Sequence, residues 1–108
     1  MEKTETIVLL TTLFASRKAT DLLRALKILQ RNYLPKFENK VVEIFKERYK
    51  RNMSWELQVE AIKIIGKQHL VKALPLLEQI VKKNMEHDMV TMEAAAAYFR
   101  IVRLNLSD

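Results

Sequence analysis

The sequence has little of what sharp turns and covalent cross-links require: it contains one Gly, two Pro and no Cys in 108 residues. A single Gly excludes the P-loop and the dinucleotide fingerprint, because both need two or more glycines at fixed spacing. The lack of cysteine excludes disulfides, thiolate metal sites and a cysteine nucleophile, and it suits a reducing compartment. With so few turn-forming residues, the composition favours long helices in one domain over an all-β fold.

A long hydrophobic run is also missing. The one candidate targeting segment, residues 7–15, has nine mostly apolar residues, whereas a membrane span needs about 20. Glu2 and Glu5 offset the positive charge that a signal peptide carries at its start. We therefore expect a cytoplasmic protein with no membrane insertion.

Helical periodicity runs through the whole chain. Residues 35–51 and 70–85 each show one apolar face, which indicates helices buried on a single side. Residues 54–66 and 88–105 are apolar over a wider arc, as expected of helices with neighbours on two sides. The pattern predicts six helices, at residues 4–15, 17–31, 35–51, 54–66, 70–85 and 88–105.

The predicted boundaries follow from the residues that cap helices. Ser54 and Asp88 precede helices and are predicted N-caps, because their side chains accept hydrogen bonds from first-turn N–H groups. Pro35 and Pro75 suit the first turn of a helix, where a missing N–H costs nothing. Gly66, the one residue that takes positive φ freely, is predicted to end its helix.

The sequence repeats itself with a fixed period. A shift of 36 residues aligns residues 25–29 with 61–65 and, without a gap, Val41 with Leu77. A shift of 33 residues then aligns 59–62 with the start of a third unit, at residues 92–95. Periods of this length are typical of helical repeat proteins.

The stretch Val59–Gly66, followed by Ala73-Leu74-Pro75-Leu76-Leu77 and then Glu93-Ala94-Ala95, resembles HEAT repeats. It is most similar to the short HEAT-like repeats named for the phycobilisome lyases, in which an Ala-containing first helix ends in Leu-Gly and a second opens with Leu-Pro-x-Leu. The resemblance implies an all-α fold, an α-α superhelix in the form of a short solenoid of six antiparallel helices. The expected single domain, residues 1–108, comprises a helix at 4–15, a pair at 17–51, a pair at 54–85 and a final helix at 88–105.

The two ends of this array are expected to leave apolar side chains uncovered. The final helix has no following partner, so that Met89, Met92 and Val102 lack a neighbour, and the apolar residues of the first helix spread nearly all round it. Since large apolar patches mark interfaces, a homodimer through the terminal helices is one expectation. A more compact wrapping of the ends, or a longer chain, would cover the same residues.

Residues for catalysis or metal binding are scarce. His69 and His87 stand beside predicted turns, and no second histidine at i+4 completes a metal site around His87 and its acidic neighbours. Glu56 and Glu60 lie one helical turn apart, but two lysines follow on the same stripe, which indicates solvated ion pairs. We expect no enzyme, and neither a cofactor nor a metal ion.

The net charge of +6 lies entirely in the first half of the chain: residues 1–54 hold 12 Lys or Arg and 6 Asp or Glu, and residues 55–108 hold 7 of each. This excess indicates a solvated basic face or a footprint for phosphates or an acidic protein. Phe37, Phe45 and Tyr49 fall on a buried arc, which argues against base stacking. The nucleic-acid alternative would use Arg17, Arg24, Lys27, Arg31, Lys46, Arg48 and Arg51.

The preferred function is a non-catalytic protein-interaction or scaffold module. The expected partner is another protein, for which an acidic surface would match the basic half of the chain. Trp55 is predicted to be a packing anchor between repeats rather than an exposed contact. Binding is assigned to exposed faces of the second helix in each pair, at Lys36, Lys40, Glu43, Glu47, Lys50, Glu78, Gln79, Lys82 and Lys83.

Overall fold

The computed structural model of the chain describes residues 3–83 and 88–106. These residues form six α-helices and no strand, which confirms the predicted all-α class. Short 3-10 turns at Pro35–Phe37 and Val71–Ala73 lead into the third and fifth helices. Across the described residues, every helix is too short or too polar to cross a membrane. The helices are α1 (Lys3–Ala15), α2 (Ala19–Arg31), α3 (Glu38–Arg51), α4 (Trp55–Gln68), α5 (Leu74–Lys83) and α6 (Met89–Leu106).

The helices lie in two layers. In one layer α4 packs between α2 and α6, and α1 packs on α2; α3 packs on α4, and α5 packs on α6. The Cα atoms span 39 × 35 × 17 Å, a thickness that fits two layers of helices about 8–10 Å apart. One continuous apolar core takes side chains from all six helices, among them Leu10, Leu22, Val41, Leu57, Leu77 and Ala94.

The most extensive helix contacts join α4 to α6, α3 to α4, and α5 to α6, and those of α2 with α4 and of α1 with α2 are smaller. The predicted pairs, 17–51 and 54–85, join helices that follow each other across the two 3-10 turns. Between α3 and α4 the connection is only Asn52 to Ser54, and a connection this short places antiparallel neighbours side by side. The final helix thus has α4 and α5 as neighbours, although one of its faces stays exposed.

Gly66 does not end its helix, and that prediction was wrong. It lies buried inside α4, and the left-handed residue that ends the helix is His69, with φ 54°. A Cβ on Gly66 would lie 3.0 Å from the Cβ of Ala97 and 3.1 Å from its Cα. Glycine is therefore present because α4 and α6 approach closely at this point, and not because a turn needs positive φ.

The two predicted N-caps behave differently. Asp88 Oδ1 accepts a hydrogen bond of 2.7 Å from the N–H of Thr91, as expected for the start of α6. Ser54 makes no such side-chain bond at the start of α4; it is left-handed, with φ 54°, and its Oγ accepts instead from Arg48 at 3.4 Å. The left-handed backbone turns its hydroxyl away from the orphan N–H groups that an extended N-cap residue would reach.

Gln58 fixes the turn between α3 and α4. Its side chain is buried, with 3% exposed, and Nε2 donates to the carbonyl oxygens of Arg48 at 3.3 Å and Met53 at 3.0 Å. Its Oε1 has no hydrogen-bond partner among the described atoms. Since buried amides are normally paired, the cost of this orphan is offset by a turn held from inside the core.

Trp55 is 56% exposed, so its prediction as a packing anchor was wrong. It is the first residue of α4, and Ala19, which begins α2 at the equivalent position 36 residues earlier, is exposed as well. The first residues of α2 and α4 thus lie beyond the packed part of these helices, where no described helix covers them.

Candidate functional site

A groove runs between α3 and α5. Its volume is about 690 Å³, and its lining includes Asn52 from the turn after α3 and Lys72 from the 3-10 turn before α5. We call it the basic groove; it is lined by Lys46, Tyr49, Lys50, Asn52, Lys72, Pro75, Leu76, Gln79 and Lys83.

Helical spacing places these side chains on facing surfaces. Lys46, Tyr49 and Lys50 lie at i, i+3 and i+4 along α3, and Leu76, Gln79 and Lys83 follow at spacings of three and four residues along α5. The two walls are linked by Lys72, whose Nζ donates to Oδ1 of Asn39 at 2.8 Å. The groove is therefore set by packed helices and by one cross-link, and not by a loose loop.

The floor of the groove is apolar and backed by the core. Tyr49 and Leu76 are half-buried there, and Pro75 is exposed beside them. The Tyr49 ring packs against the fully buried ring of Phe45, with 6.3 Å between centroids. A ligand in the groove would thus meet a rigid aromatic surface in addition to charge.

The charge of the lining has one sign. Four lysines, and no carboxylate, line the basic groove as far as the structure describes it. Lys46, Lys50 and Lys83 form no ion pair with any described residue, whereas Lys40 pairs with Glu43 at 3.8 Å. Similar short-range pairs elsewhere are Lys63–Glu60 at 3.7 Å and Lys82–Glu78 at 3.1 Å. Among the described residues these groove lysines are thus without an ion pair, as are exposed cations elsewhere such as Arg24, Lys27 and Lys67, and what sets the groove apart is that it gathers four lysines in one lining.

A second depression, of about 500 Å³, continues from the groove along α3. It shares Lys46, Lys50 and Lys72 with the basic groove and adds Glu43 and Glu47 at its border. The surface therefore changes from purely basic near the C-terminal end of α3 to mixed charge in the middle of that helix.

The structure brings some of the predicted partner-binding residues together and separates others. Lys50, Gln79 and Lys83 line the basic groove, and Glu43 and Glu47 border the adjoining depression. Outside both linings lie Lys36, Lys40, Glu78 and Lys82.

Sequence reasoning missed part of the lining. Lys72 lies in a 3-10 turn and carries no periodic signal, and Tyr49 had been assigned to the buried arc of α3. The sequence analysis places Pro75 only at a helix start and Leu76 only in the HEAT-like stretch Ala73-Leu74-Pro75-Leu76-Leu77. Tyr49 and Leu76 are half-buried. They could have been found by comparing the borders of the apolar faces in residues 35–51 and 70–85.

The predicted basic set does not form one continuous stripe. Arg24, Lys27 and Arg31 border a shallow depression of about 340 Å³ on α2. Another depression holds Arg17, Arg48 and Arg51 together with Glu43 and Glu47, and Arg51 pairs with Glu47 at 3.9 Å. Lys46 lies in the basic groove. Phe37 and Phe45 are buried, as predicted, and are closed to base stacking.

Glu60 in α4 and His69 in the turn after it both take part in structural hydrogen bonds. Glu60, predicted to be solvated, has only 17% of its side chain exposed, and its Oε2 accepts 2.6 Å from Nε2 of Gln30 in α2. His69 caps α4 through its backbone.

The metal alternative at His87 and Glu86 lies outside the described residues, and the described part of the chain brings no three potential ligands together.

The pKa of Tyr33, which lies between α2 and the 3-10 turn before α3, is shifted. The pKa of Tyr33 is raised above its ordinary value of 10.0, first because the hydroxyl is desolvated and second because Glu38 repels the phenolate. Tyr33 is a partly buried residue packed against the core, and it therefore remains neutral near pH 7.

Comparison with known proteins gives no match to a protein-family model, to a curated protein or to a solved structure. The basic groove, in which four lysines and no described carboxylate surround a floor of Tyr49 and Leu76, is thus the feature on which a function can be argued.

Proposed function

We propose that the chain is a non-catalytic interaction module that binds an acidic segment of another protein in the basic groove. The observation that carries this proposal is one concave lining that gathers Lys46, Lys50, Lys72 and Lys83 and, among the described residues, no carboxylate. A cleft lined by charge of one sign concentrates its field and attracts ligands of the opposite sign. A protein segment with carboxylates would supply negative charge inside the groove, where the described lining has none; Glu43 and Glu47 lie only at the border of the adjoining depression.

The apolar floor narrows the chemistry of the partner. Tyr49, Pro75 and Leu76 offer contact area to an apolar side chain, while the lysines at the rim suit carboxylates on either side of it. The α3 residues that line the groove and the adjoining depression run from Asn39 to Lys50, or about 18 Å at 1.5 Å per residue. The best-fitting occupant is therefore an amphipathic segment of about three to four helical turns, with acidic and apolar residues on neighbouring faces.

The placement of the helices supports a HEAT-like α-α superhelix as the architecture of this cytoplasmic module. Helices α2 and α4 begin at Ala19 and Trp55, and the 3-10 turns begin at Pro35 and Val71, 36 residues apart in both cases. A row of first helices with second helices in an outer layer is the arrangement of stacked helical units. Fully buried residues recur at the same shift: Ala25 and Ala61, Leu26 and Ile62, and Leu29 and Ile65.

The test uses a fluorescein-labelled helical peptide with Glu on one face and Leu on the other. Control peptides carry Lys in place of Glu, or Ala in place of Leu. We expect the acidic peptide to bind, measured by fluorescence anisotropy, and both controls to bind more weakly. Amide shifts of ¹⁵N-labelled protein should concentrate at Lys46, Lys50, Gln79 and Lys83. Equal binding of the Glu and Lys peptides would contradict the proposal.

Charge-reversal variants locate the site. Lys46→Glu/Lys50→Glu should weaken the acidic peptide by about tenfold or more, because two exposed ion pairs of about 0.7 kcal/mol each amount to about 1.4 kcal/mol. The matched control Lys27→Glu/Lys67→Glu changes the net charge equally at exposed positions outside the groove. It should leave peptide affinity within about twofold, because distant surface charges are screened.

Nucleic acid is the other outcome that this experiment reveals. Arg24, Lys27 and Arg31 form an exposed cationic patch on α2, and phosphate contacts are strongly salt-dependent. If a labelled DNA duplex binds more tightly than the acidic peptide, and Lys27→Glu/Lys67→Glu removes that binding, the module is a nucleic-acid binder and the groove proposal fails.

A further inference from the structure

The outward face of α6 carries an apolar stripe. Met89, Met92, Ala96 and Phe99 follow at spacings of three, four and three residues, which aligns them along one side of the helix. The large side chains are 49%, 59% and 60% exposed, for Met89, Met92 and Phe99 respectively. Other faces of α6 pack on α4 and α5. We call these four residues the α6 stripe.

Half of the α6 stripe corresponds to a surface that is covered on α4. At the shift of 33 residues, Val59 aligns with Met92 and Gly66 with Phe99, whereas Met89 and Ala96 align with the exposed residues Glu56 and Lys63. Val59 is buried, and Gly66 packs against Ala97 of α6. At Met92 and Phe99, α6 therefore has apolar residues in the register of a helix-packing face, but no described helix covers them.

We propose that the α6 stripe is the interface with a second copy of this chain, formed by two antiparallel α6 helices around a two-fold axis that passes between them at Ala96. The small Ala96 side chain allows the helices to approach closely at the axis. Met92 lies four residues before Ala96 and Phe99 three residues after it. The two-fold therefore places each Met92 opposite the partner's Phe99.

Charge complementarity selects this occupant. Glu93 and Arg100 are seven residues apart, so that they lie within about 20° of each other on one flank of the α6 stripe. Neither forms an ion pair with a described residue. Glu93 precedes Ala96 by three residues and Arg100 follows it by four, so the two-fold brings each Glu93 beside the partner's Arg100. Each end of the interface therefore pairs a glutamate of one copy with an arginine of the other.

The contact involves a single helix from each copy. Its area falls at or below the lower end of standard interfaces, about 1,200 Å² in total, so the dimer is expected to be weak and to dissociate on dilution. This inference does not rest on the proposed function, because the basic groove is lined by α3 and α5.

Sedimentation velocity of the 108-residue chain, from low micromolar to near-millimolar concentration, tests the proposal. We expect a reversible monomer–dimer equilibrium. Arg100→Glu and Glu93→Arg should each raise the dissociation constant about tenfold or more, because each places like charges opposite one another twice. The double variant Glu93→Arg/Arg100→Glu reverses both charges and should restore the dimer.

Two further variants separate the α6 stripe from other apolar surface. Met92→Glu should abolish the dimer, whereas Val8→Glu, at a 61% exposed position on α1, should leave it unchanged. These positions are exposed, and unchanged circular-dichroism melting curves verify that each variant folds. A chain that stays monomeric at every concentration, a double variant that fails to restore the dimer, or equal effects of Met92→Glu and Val8→Glu would each overturn the proposal.

Discussion

Helices α4 and α6 are built alike and placed differently. Both are apolar over a wide arc, and a shift of 33 residues aligns Ala61 with Ala94, both fully buried. Helix α4 packs against α2, α3 and α6, whereas α6 packs, among the described helices, against α4 and α5 and presents Met92 and Phe99 to solvent. Periodicity thus shows that a helix has a wide apolar arc, and packing decides whether neighbours cover all of that arc.

The largest expected difference between α4 and α6 is the loss of stability on truncating one apolar side chain in each helix. Ile62→Ala on α4 removes a fully buried side chain and should lower the free energy of unfolding by about 2–5 kcal/mol. Met92→Ala on α6, where 59% of the residue is exposed, should change it by less than about 0.5 kcal/mol. Urea unfolding at a concentration that keeps the chain monomeric measures both values. Equal losses would show that Met92 is covered in the monomer.

The close approach of the two helices gives a second test. Gly66→Val adds volume where a Cβ already meets Ala97 at 3.0 Å, and it should cost about 1–3 kcal/mol of stability. The exchange Gly66→Ala/Ala97→Gly keeps the total volume and should remain within about 1.5 kcal/mol of the native chain. Thermal unfolding measures both. The exposed control Ala96→Val, measured at a concentration that keeps the chain monomeric, should cost no more than about 0.7 kcal/mol, its helix-propensity difference. A Gly66→Val variant as stable as this control would contradict the close approach.

The beginnings of the two helices provide the smallest effects. Asp88→Ala removes the cap that accepts the Thr91 N–H at 2.7 Å and should cost about 1 kcal/mol. Ser54→Ala removes only a bond of 3.4 Å to Arg48 and should cost a few tenths, about 0.3 kcal/mol. Chemical denaturation of the two variants side by side resolves the difference. A larger loss for Ser54→Ala would show that its hydroxyl caps α4 in solution.

The helices were predictable because each one carries its own periodic pattern. The observed ends lie close to the predicted ones at α1 and α6, whose apolar runs stop where the helices stop. Near Pro35 and Leu70 the predicted helices begin early, because the first turn there is 3-10 rather than α. Gly66 was misassigned because a glycine is needed both by a left-handed turn and by a close helix contact, and a single sequence gives no means to separate the two.

The candidate site was predictable only in part. Exposure of Lys50, Gln79 and Lys83 follows from helix phase, and these residues do meet in the basic groove. Three features depend on tertiary placement. These are the proximity of these residues across two helices, the contribution of Lys72 from a turn, and the absence of an ion pair between Lys46 and any described residue. Gln58 was missed for the same reason, because a polar residue in an apolar arc reveals nothing about the carbonyl groups that it reaches.

By itself the sequence determined the helical class, the number of helices and the excess of positive charge before Ser54, since propensity, periodicity and charge are local properties. Only the tertiary structure decided which lysines share a groove, which helices touch at Gly66 and which apolar residues remain exposed on α6. The reason is physical: a helix of one sequence can bury its apolar arc against any neighbour of matching shape, and the choice among neighbours depends on the packing of the whole chain.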